Sequence, residues 1–378
     1  STTYDVGLDL DFFNNRLSVS GDYYRRYTTD MYTASVALPA VYGTGSPKGN
    51  NAEMKTDGWE LSLSWRDSFK LGGKPFDYSI KAMVWDNRTV VTKYENATRS
   101  LGTLKGYIQN GGSPSDFYEG MELGEMWGYT VAGLFRDQAD IDSSATHDFT
   151  QASDKVTRPG QVKIADLDGN GFIDPGNFAV DDHGDLRIIG NQSPRYRYGV
   201  NLSARWNGIG LSVFLQGVMK RDWYPSPDSG YFWGKYARPF MWVLGIHNYT
   251  DDMYSKEKNN WDTAYWPRMT TYQSNSSYSW TKLLEIPNTR YKQNAAYLRV
   301  KNIQLDYSFP KHICSAIRLQ GLKIYVNAEN LFTFTPLHKY APNFDPEGLS
   351  YDSDFASAAD GYTYPILKSV TVGVNITF

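Results

Sequence analysis

Near the end of the chain apolar and polar positions alternate without a break: Val370, Val372, Val374, Ile376 and Phe378 fall on one face, Ser369, Thr371, Gly373, Asn375 and Thr377 on the other. A period of two places successive side chains on opposite faces of a β-strand. Residues 195 to 206 repeat the pattern, with Tyr196, Tyr198, Val200, Leu202, Ala204 and Trp206 opposed to Arg195, Arg197, Asn201, Ser203 and Arg205. Here the aliphatic side chains sit mid-strand and the aromatic ones near the ends. A strand facing lipid has this distribution, because aromatic rings concentrate at the two membrane interfaces.

The same alternation predicts strands at 4 to 13 (Tyr4, Val6, Leu8, Leu10, Phe12), 16 to 27, 57 to 66 (Trp59, Leu61, Leu63, Trp65) and 76 to 86. It continues through Leu211, Val213 and Leu215, then at 296 to 308 and 321 to 333 (Leu322, Ile324, Val326, Ala328). The phase slips near Asn302, from Leu298 and Val300 to Ile303, Leu305 and Tyr307, which predicts a bulge. Short connections (Asn14 and Asn15, the stretch around Gly72 and Gly73, Asn207 to Gly210, residues 309 to 320) alternate with long ones at 28 to 56, 87 to 194, 222 to 295 and 334 to 364. Short turns on one side and long loops on the other are the organisation of an outer-membrane barrel. Nine strands result. Single-chain bacterial barrels have even counts and an open edge in lipid leaves backbone groups unsatisfied, so strands outside this sequence are expected to complete the wall.

Composition agrees. Tyr (29), Phe (18), Trp (11) and Gly (33) are abundant among 378 residues, as β-structure with many turns requires. Mean hydropathy is −0.52, and no run reaches the ~18 apolar residues of a membrane helix; barrel strands, apolar on one face only, are compatible with that value. A net charge of −3 supplies no basic field for nucleic acid. Cys314 stands alone and reads as a small buried or membrane-facing apolar side chain. The sequence opens at Ser1 directly on a strand pattern, with no signal peptide, which reads as a mature fragment. A soluble β-sandwich or propeller also has strands with one apolar face; strand length, the turn and loop asymmetry and the end-placed aromatics favour the barrel.

Several stretches in order resemble one family: Gly128 to Phe135 (GYTVAGLF), Pro159 to Asp174 (PGQVKIADLDGNGFID), Arg187 to Pro194 (RIIGNQSP), the strand pair from Tyr198 through Gly217, Tyr297 to Pro310 (YLRVKNIQLDYSFP) and Val326 to Phe332 (VNAENLF). As a set they are similar to the C-terminal part of the SusC/RagA-type TonB-dependent outer-membrane transporters. The terminal strand ending in Phe378 also resembles the signal that barrel-assembly machinery reads. The resemblance implies that residues 1 to 378 are the C-terminal portion of an all-β, 22-stranded transmembrane antiparallel barrel, whose plug domain and first strands precede them. It further implies import of an oligosaccharide or an oligopeptide across the outer membrane of a Gram-negative bacterium. The import would be energised by the TonB-ExbB-ExbD complex and aided by a SusD-like surface lipoprotein lid, with the long loops meeting lid and ligand.

Two constellations carry candidate chemistry. Asp166, Asp168, Asn170, Phe172 and Asp174, with Gly171 at the sharp turn, have the ligand spacing of an EF-hand-like loop: oxygen donors at positions 1, 3, 5 and 9 and a backbone carbonyl at 7. Position 12 is Asn177 rather than a bidentate Glu, so Asp181 or Asp182 would have to fold back. A structural Ca²⁺ in the loop 166–177 is one reading; an Asx-rich turn closed by its own hydrogen bonds is the other. The second constellation is aromatic. Trp223, Tyr231, Trp233, Tyr236, Trp242 and Trp261 crowd one loop region beside acidic and amide residues, and such rings stack on the C–H faces of sugars. They can equally pack the loops onto one another. No organic cofactor and no catalytic set is indicated: the five histidines lie singly, and neither G-x-S-x-G nor H-E-x-x-H occurs. Import of an oligosaccharide is the first expectation; a secreted or surface glycan-binding β-protein without transport is the alternative.

Overall fold

The computed structural model describes residues 1–34, 41, 43, 47–96, 99–101, 117–147, 157–225, 232, 252–268, 287–349 and 366–378. Its main feature is a nine-stranded antiparallel sheet. In spatial order the strands are β1 (Thr2–Phe12), β2 (Leu17–Ala34), β3 (Lys48–Leu71), β4 (Lys74–Lys93), β9 (Arg195–Trp206), β10 (Ile209–Lys220), β13 (Tyr297–Ser308), β14 (Gly321–Phe334) and β15 (Ser369–Thr377). Every neighbour in space is therefore also the next long strand in sequence, as in an up-and-down barrel wall.

Register assigns the faces, because residues opposite one another in antiparallel pairs share a face. Leu10, Val19, Leu63, Ala82, Val200, Leu215, Val300 and Phe332 form one continuous row across eight strands. The adjacent row on the other face reads Asp11, Ser18, Ser64, Lys81, Asn201, Phe214, Asn302, Glu329 and Ser369. The polar face is the concave one: Arg66, Asp77, Ser79, Ser203, Arg205, Ser212, Gln304, Asp306 and Lys323 line a cavity of about 820 Å³. On the convex face, side chains such as Val6 (74% exposed) and Val372 (73%) are bare. Water does not tolerate an apolar surface of that extent on a soluble monomer.

The turn end of the wall is tied by aromatics with polar handles. Trp65 Nε1 donates to Tyr78 Oη at 3.1 Å and Trp206 Nε1 to the Leu71 carbonyl at 3.0 Å. Rings also meet in the pairs Phe69 and Phe76 (5.0 Å) and Tyr307 and Phe309 (4.9 Å). Asn207 and Gly208 both have positive φ between the paired Trp206 and Ile209, the conformation a two-residue hairpin of matching twist requires. The slip near Asn302 is a register shift between Val300 and Asn302. Cys314 is buried in a short helix, Lys311–Ala316, between β13 and β14.

The outer strands exceed the expected lengths. β2, β3 and β4 run to Ala34, from Lys48 and to Lys93, well into the stretches read as loop. These extensions mix polar and apolar residues without a period of two, so alternation could not reveal them; the Thr56 and Thr89 hydroxyls at 2.8 Å and the Lys93–Glu53 pair at 3.7 Å join them across the ladder, and Ala52 and Val91 are buried. The stretch 87–194 is also not loop throughout. It contains β5 (Glu125–Tyr129), β6 (Val131–Leu134), β7 (Val162–Ile164) and β8 (Leu186–Asn191), paired β5 with β8 and β6 with β7. Most of the buried core lies in the long loops and little of it in the wall: Tyr129, Leu134, Leu186, Trp223, Tyr224, Phe232, Trp266, Tyr291 and Leu337 are all 2% exposed or less.

Candidate functional site

The acidic loop follows β7 directly. Asp166 accepts the backbone N–H of Gly169 (2.6 Å) and Gly171 (3.0 Å), Asp168 that of Asn170 (3.0 Å), and Asn170 Oδ1 that of Phe172 (2.7 Å). Gly169 and Gly171 take positive φ, which glycine adopts without steric cost. The loop is thus shaped by Asx-type bonds. Burial disfavours the charge of Asp166, but the N–H groups of Gly171 and Gly169 outweigh it and hold its carboxyl below the usual range.

Of the expected ligand set, Asp166 and Asp168 converge, and the third carboxylate beside them is Asp185: one oxygen from each lies within 4.8 Å of the others. Asp185 is fully buried and accepts the N–H of Leu167 (2.6 Å) and Asp174 (3.0 Å), which clamps both ends of the loop. Neither Asp181 nor Asp182 folds back as anticipated, since Asp181 pairs with Arg99 at 3.0 Å and Asp182 accepts from Asn177. Asn170 and Asp174 stay in the loop, joined by Asn170 Nδ2 to Asp174 Oδ2 at 3.0 Å, and the Phe172 ring is 56% exposed. Asp185 lies eleven residues past the motif, and only the turn that leads into β8 brings it back there; spacing alone carries no signal of it.

His147 secures the neighbouring strand. Its Nε2 accepts the Ile164 N–H at 2.8 Å, so Nδ1 carries the proton and donates to the Ala145 carbonyl at 2.9 Å. Burial pushes its pKa down. The folded state then binds the proton less readily than the unfolded state does. The clasp is intact above about pH 6.5, the ordinary histidine value, and weakens as pH falls below it. Hydrogen exchange of residues 162–164 is expected to accelerate between about pH 6.5 and 5 after correction for intrinsic rates, and H147Q should remove that dependence.

The aromatic constellation divides. Trp223 is 2% exposed, edge-on to Phe232 (6.1 Å) and against Phe344 (4.9 Å), so its faces are covered and it is a core residue, not a ligand surface. Around it Tyr265 stacks on Tyr340 at 3.6 Å and Trp266 on Tyr291 at 5.7 Å, fastening residues 252–268 to the segments before β13 and after β14. Trp261 packs against this core while partly exposed. Tyr231, Trp233, Tyr236 and Trp242 lie outside the described residues. The wall contributes polar groups that alternation identified only as a face. Arg195 grips Asp86 (2.6 Å) and Glu122 (3.2 Å), and Arg299, 3% exposed, pairs with Asp345 (2.7 Å) and Glu347 (3.1 Å).

Comparison with known proteins accords with this architecture. Residues 1–157 match the family model described as "TonB dependent receptor-like, beta-barrel". The whole chain is 26% identical to TonB-dependent receptor P3 of Formosa agariphila, of which it covers 34%, and 23% identical to TonB-dependent receptor SusC of Bacteroides thetaiotaomicron, of which it covers 32%. It spans about a third of the length of the curated relatives it matches. Among solved structures, the RagAB peptide transporter superposes with a TM-score of 0.62 at 20% identity, and the RagAB peptide importer in its "open-open" state with 0.64 at 19%. All of this chain is covered in both cases, against 35% and 34% of those chains.

Proposed function

We propose that this chain, similar to the TonB-dependent receptor β-barrel family of the outer membrane, forms part of the wall and the outer loops of a transporter importing a polar oligomer. The observation that carries this reading is the division of one nine-stranded sheet into a bare apolar convex face and a charged concave face. The unpaired edges of β1 and β15 would be completed by further strands of the same barrel, because lipid cannot satisfy their N–H and C=O groups. A plug within the lumen, TonB beneath it and a SusD-like lipoprotein above the loops are the partners that complete the machine; the relatives are receptors and transporters, and no catalysis is assigned to this chain.

The burial of Trp223 weakens the case for glycan, and the similar RagAB structures are of a peptide transporter. A peptide is accordingly the favoured cargo. The test is energised uptake by cells carrying the complete gene. Labelled oligopeptides should enter in a TonB-dependent way and labelled neutral oligosaccharides should not; entry of both without TonB, or of neither, rejects active import of these classes.

We also propose that the loop 166–185 holds a structural Ca²⁺ through Asp166, Asp168 and Asp185. The close approach of the three carboxylates supports it, since like charges gathered around one buried member repel unless a cation joins them. Adding Ca²⁺ is expected to slow hydrogen exchange across 164–186 by about tenfold or more, chelation to reverse this, and D185N to abolish it. Exchange indifferent to Ca²⁺ would leave the Asx-turn reading alone.

A further inference from the structure

The inner wall near the loops carries cations that no carboxylate among the described residues balances. Arg197 lies on the concave face of β9, across from Trp85 on β4 and Val218 on β10. Lys220 is next on the same face of β10, and Arg221 follows it. Arg221 donates Nε to the Gln192 carbonyl (3.2 Å), Nη1 to that of Pro346 (3.0 Å) and Nη2 to that of Leu349 (2.5 Å). Three neutral acceptors orient its guanidinium without neutralising it. Burial holds the Arg221 pKa below its usual value, and the charge of Arg197 acts in the same direction.

The surrounding carboxylates are engaged elsewhere. Asp222 pairs with Lys292 at 3.0 Å, Asp345 and Glu347 with Arg299, Glu347 also with Lys301 at 2.8 Å, and Asp86 and Glu122 with Arg195. Glu60 shares the cross-strand row with Trp85 and Arg197 but stands two strands from Arg197, about 10 Å, beyond direct pairing. Among the described residues, then, Arg197, Lys220 and Arg221 have no anionic partner, although other charges of this wall do.

We propose that Arg197, with Lys220 and Arg221 beside it, is a binding site for the free carboxylate of the imported oligomer, with Trp85 supplying a flat surface for the adjoining part of the ligand. A guanidinium matches a carboxylate in a two-point fork. The oriented, largely buried charge of Arg221 adds attraction in a medium that screens it less than water does. Two sources present this group: the C-terminus of a peptide and the uronate of an acidic oligosaccharide. The inference rests on the import reading for its cargo, and binding can be measured apart from uptake.

The test is calorimetric titration of the complete transporter, with its partner proteins, in mild detergent with four probes: trialanine, trialanine amide, trigalacturonate and maltotriose. The free acid in at least one pair should bind about tenfold or more tightly than its uncharged counterpart, and the pair that discriminates identifies the source. R197Q should abolish the discrimination, R197K should keep part of it, and W85A should weaken both members of a pair alike. Retained circular dichroism and heat-modifiable gel mobility verify that the variants fold. Equal affinities within both pairs, no binding of either free acid, or a preference that survives R197Q overturns the proposal. Cellular uptake measured in parallel keeps the two readings distinct: a carboxylate preference without energised uptake defeats import alone, and uptake without the preference defeats this site alone.

Discussion

Exchanging Arg299 for methionine is expected to release residues 335–349 from the wall and to lower stability by about 3 to 5 kcal/mol, the cost of leaving buried charges without their partner. The Arg299 side chain is 3% exposed; its Nη2 reaches both oxygens of Asp345 at 2.7 and 2.8 Å and its Nε reaches Thr333 Oγ1 at 2.9 Å. Without it, Asp345 loses its cationic partner and Glu347 keeps only Lys301. The segment it anchors also buries Leu337, Ala341 and Phe344 and carries the Tyr340 ring that stacks on Tyr265. Hydrogen exchange should therefore rise through 335–349 and into 252–268. R16M offers the contrast, since Arg16 meets Asp67 at 3.4 Å with its side chain 56% exposed and such pairs contribute little, within about 0.5 kcal/mol here. Equal effects of the two substitutions would refute the assignment of Arg299 as the anchor.

The second large effect distinguishes the two faces of one strand. Leu202 and Ser203 are neighbours near the middle of β9, the first on the convex apolar face and the second on the concave face, where its hydroxyl meets Ser79 at 2.8 Å. An arginine at 202 would lie near the bilayer midplane and should cost about 2 to 4 kcal/mol, whereas an arginine at 203 joins a wall already lined with charge and should cost under about 1 kcal/mol. Folding of the complete barrel into vesicles at graded urea concentrations measures both. Similar values would mean that neither face meets lipid.

The wall could be read directly: the apolar row through Val200 and Leu202 follows from a period of two, and even the slip at Asn302 was visible as a change of phase. The extensions of β2, β3 and β4 could not be, because there apolar residues such as Ala52, Val90 and Val91 fall among Thr56, Thr89, Glu53 and Lys93 without a period of two. The loop assembly resisted reading for another reason. Trp223 and Trp261 look alike as residues in a loop, yet one is sealed between Phe232 and Phe344 and the other is partly exposed, a difference made by segments more than a hundred residues apart. Likewise the acidic motif named Asp166 and Asp168, but the buried Asp185 enters by tertiary return. The pairing of Arg299 with Asp345 spans 46 residues and has no local trace.

The convex face of the nine-stranded sheet should meet lipid while the concave face meets a watery lumen. The most direct test is a spin-label scan of residues 197–206, one cysteine at a time in the complete protein with Cys314 replaced by serine, in lipid bilayers. Accessibility to oxygen should peak at 198, 200, 202, 204 and 206 and accessibility to a water-soluble nickel chelate at 197, 199, 201, 203 and 205. Chelate accessibility on both faces, or no alternation at all, would contradict a membrane-spanning wall.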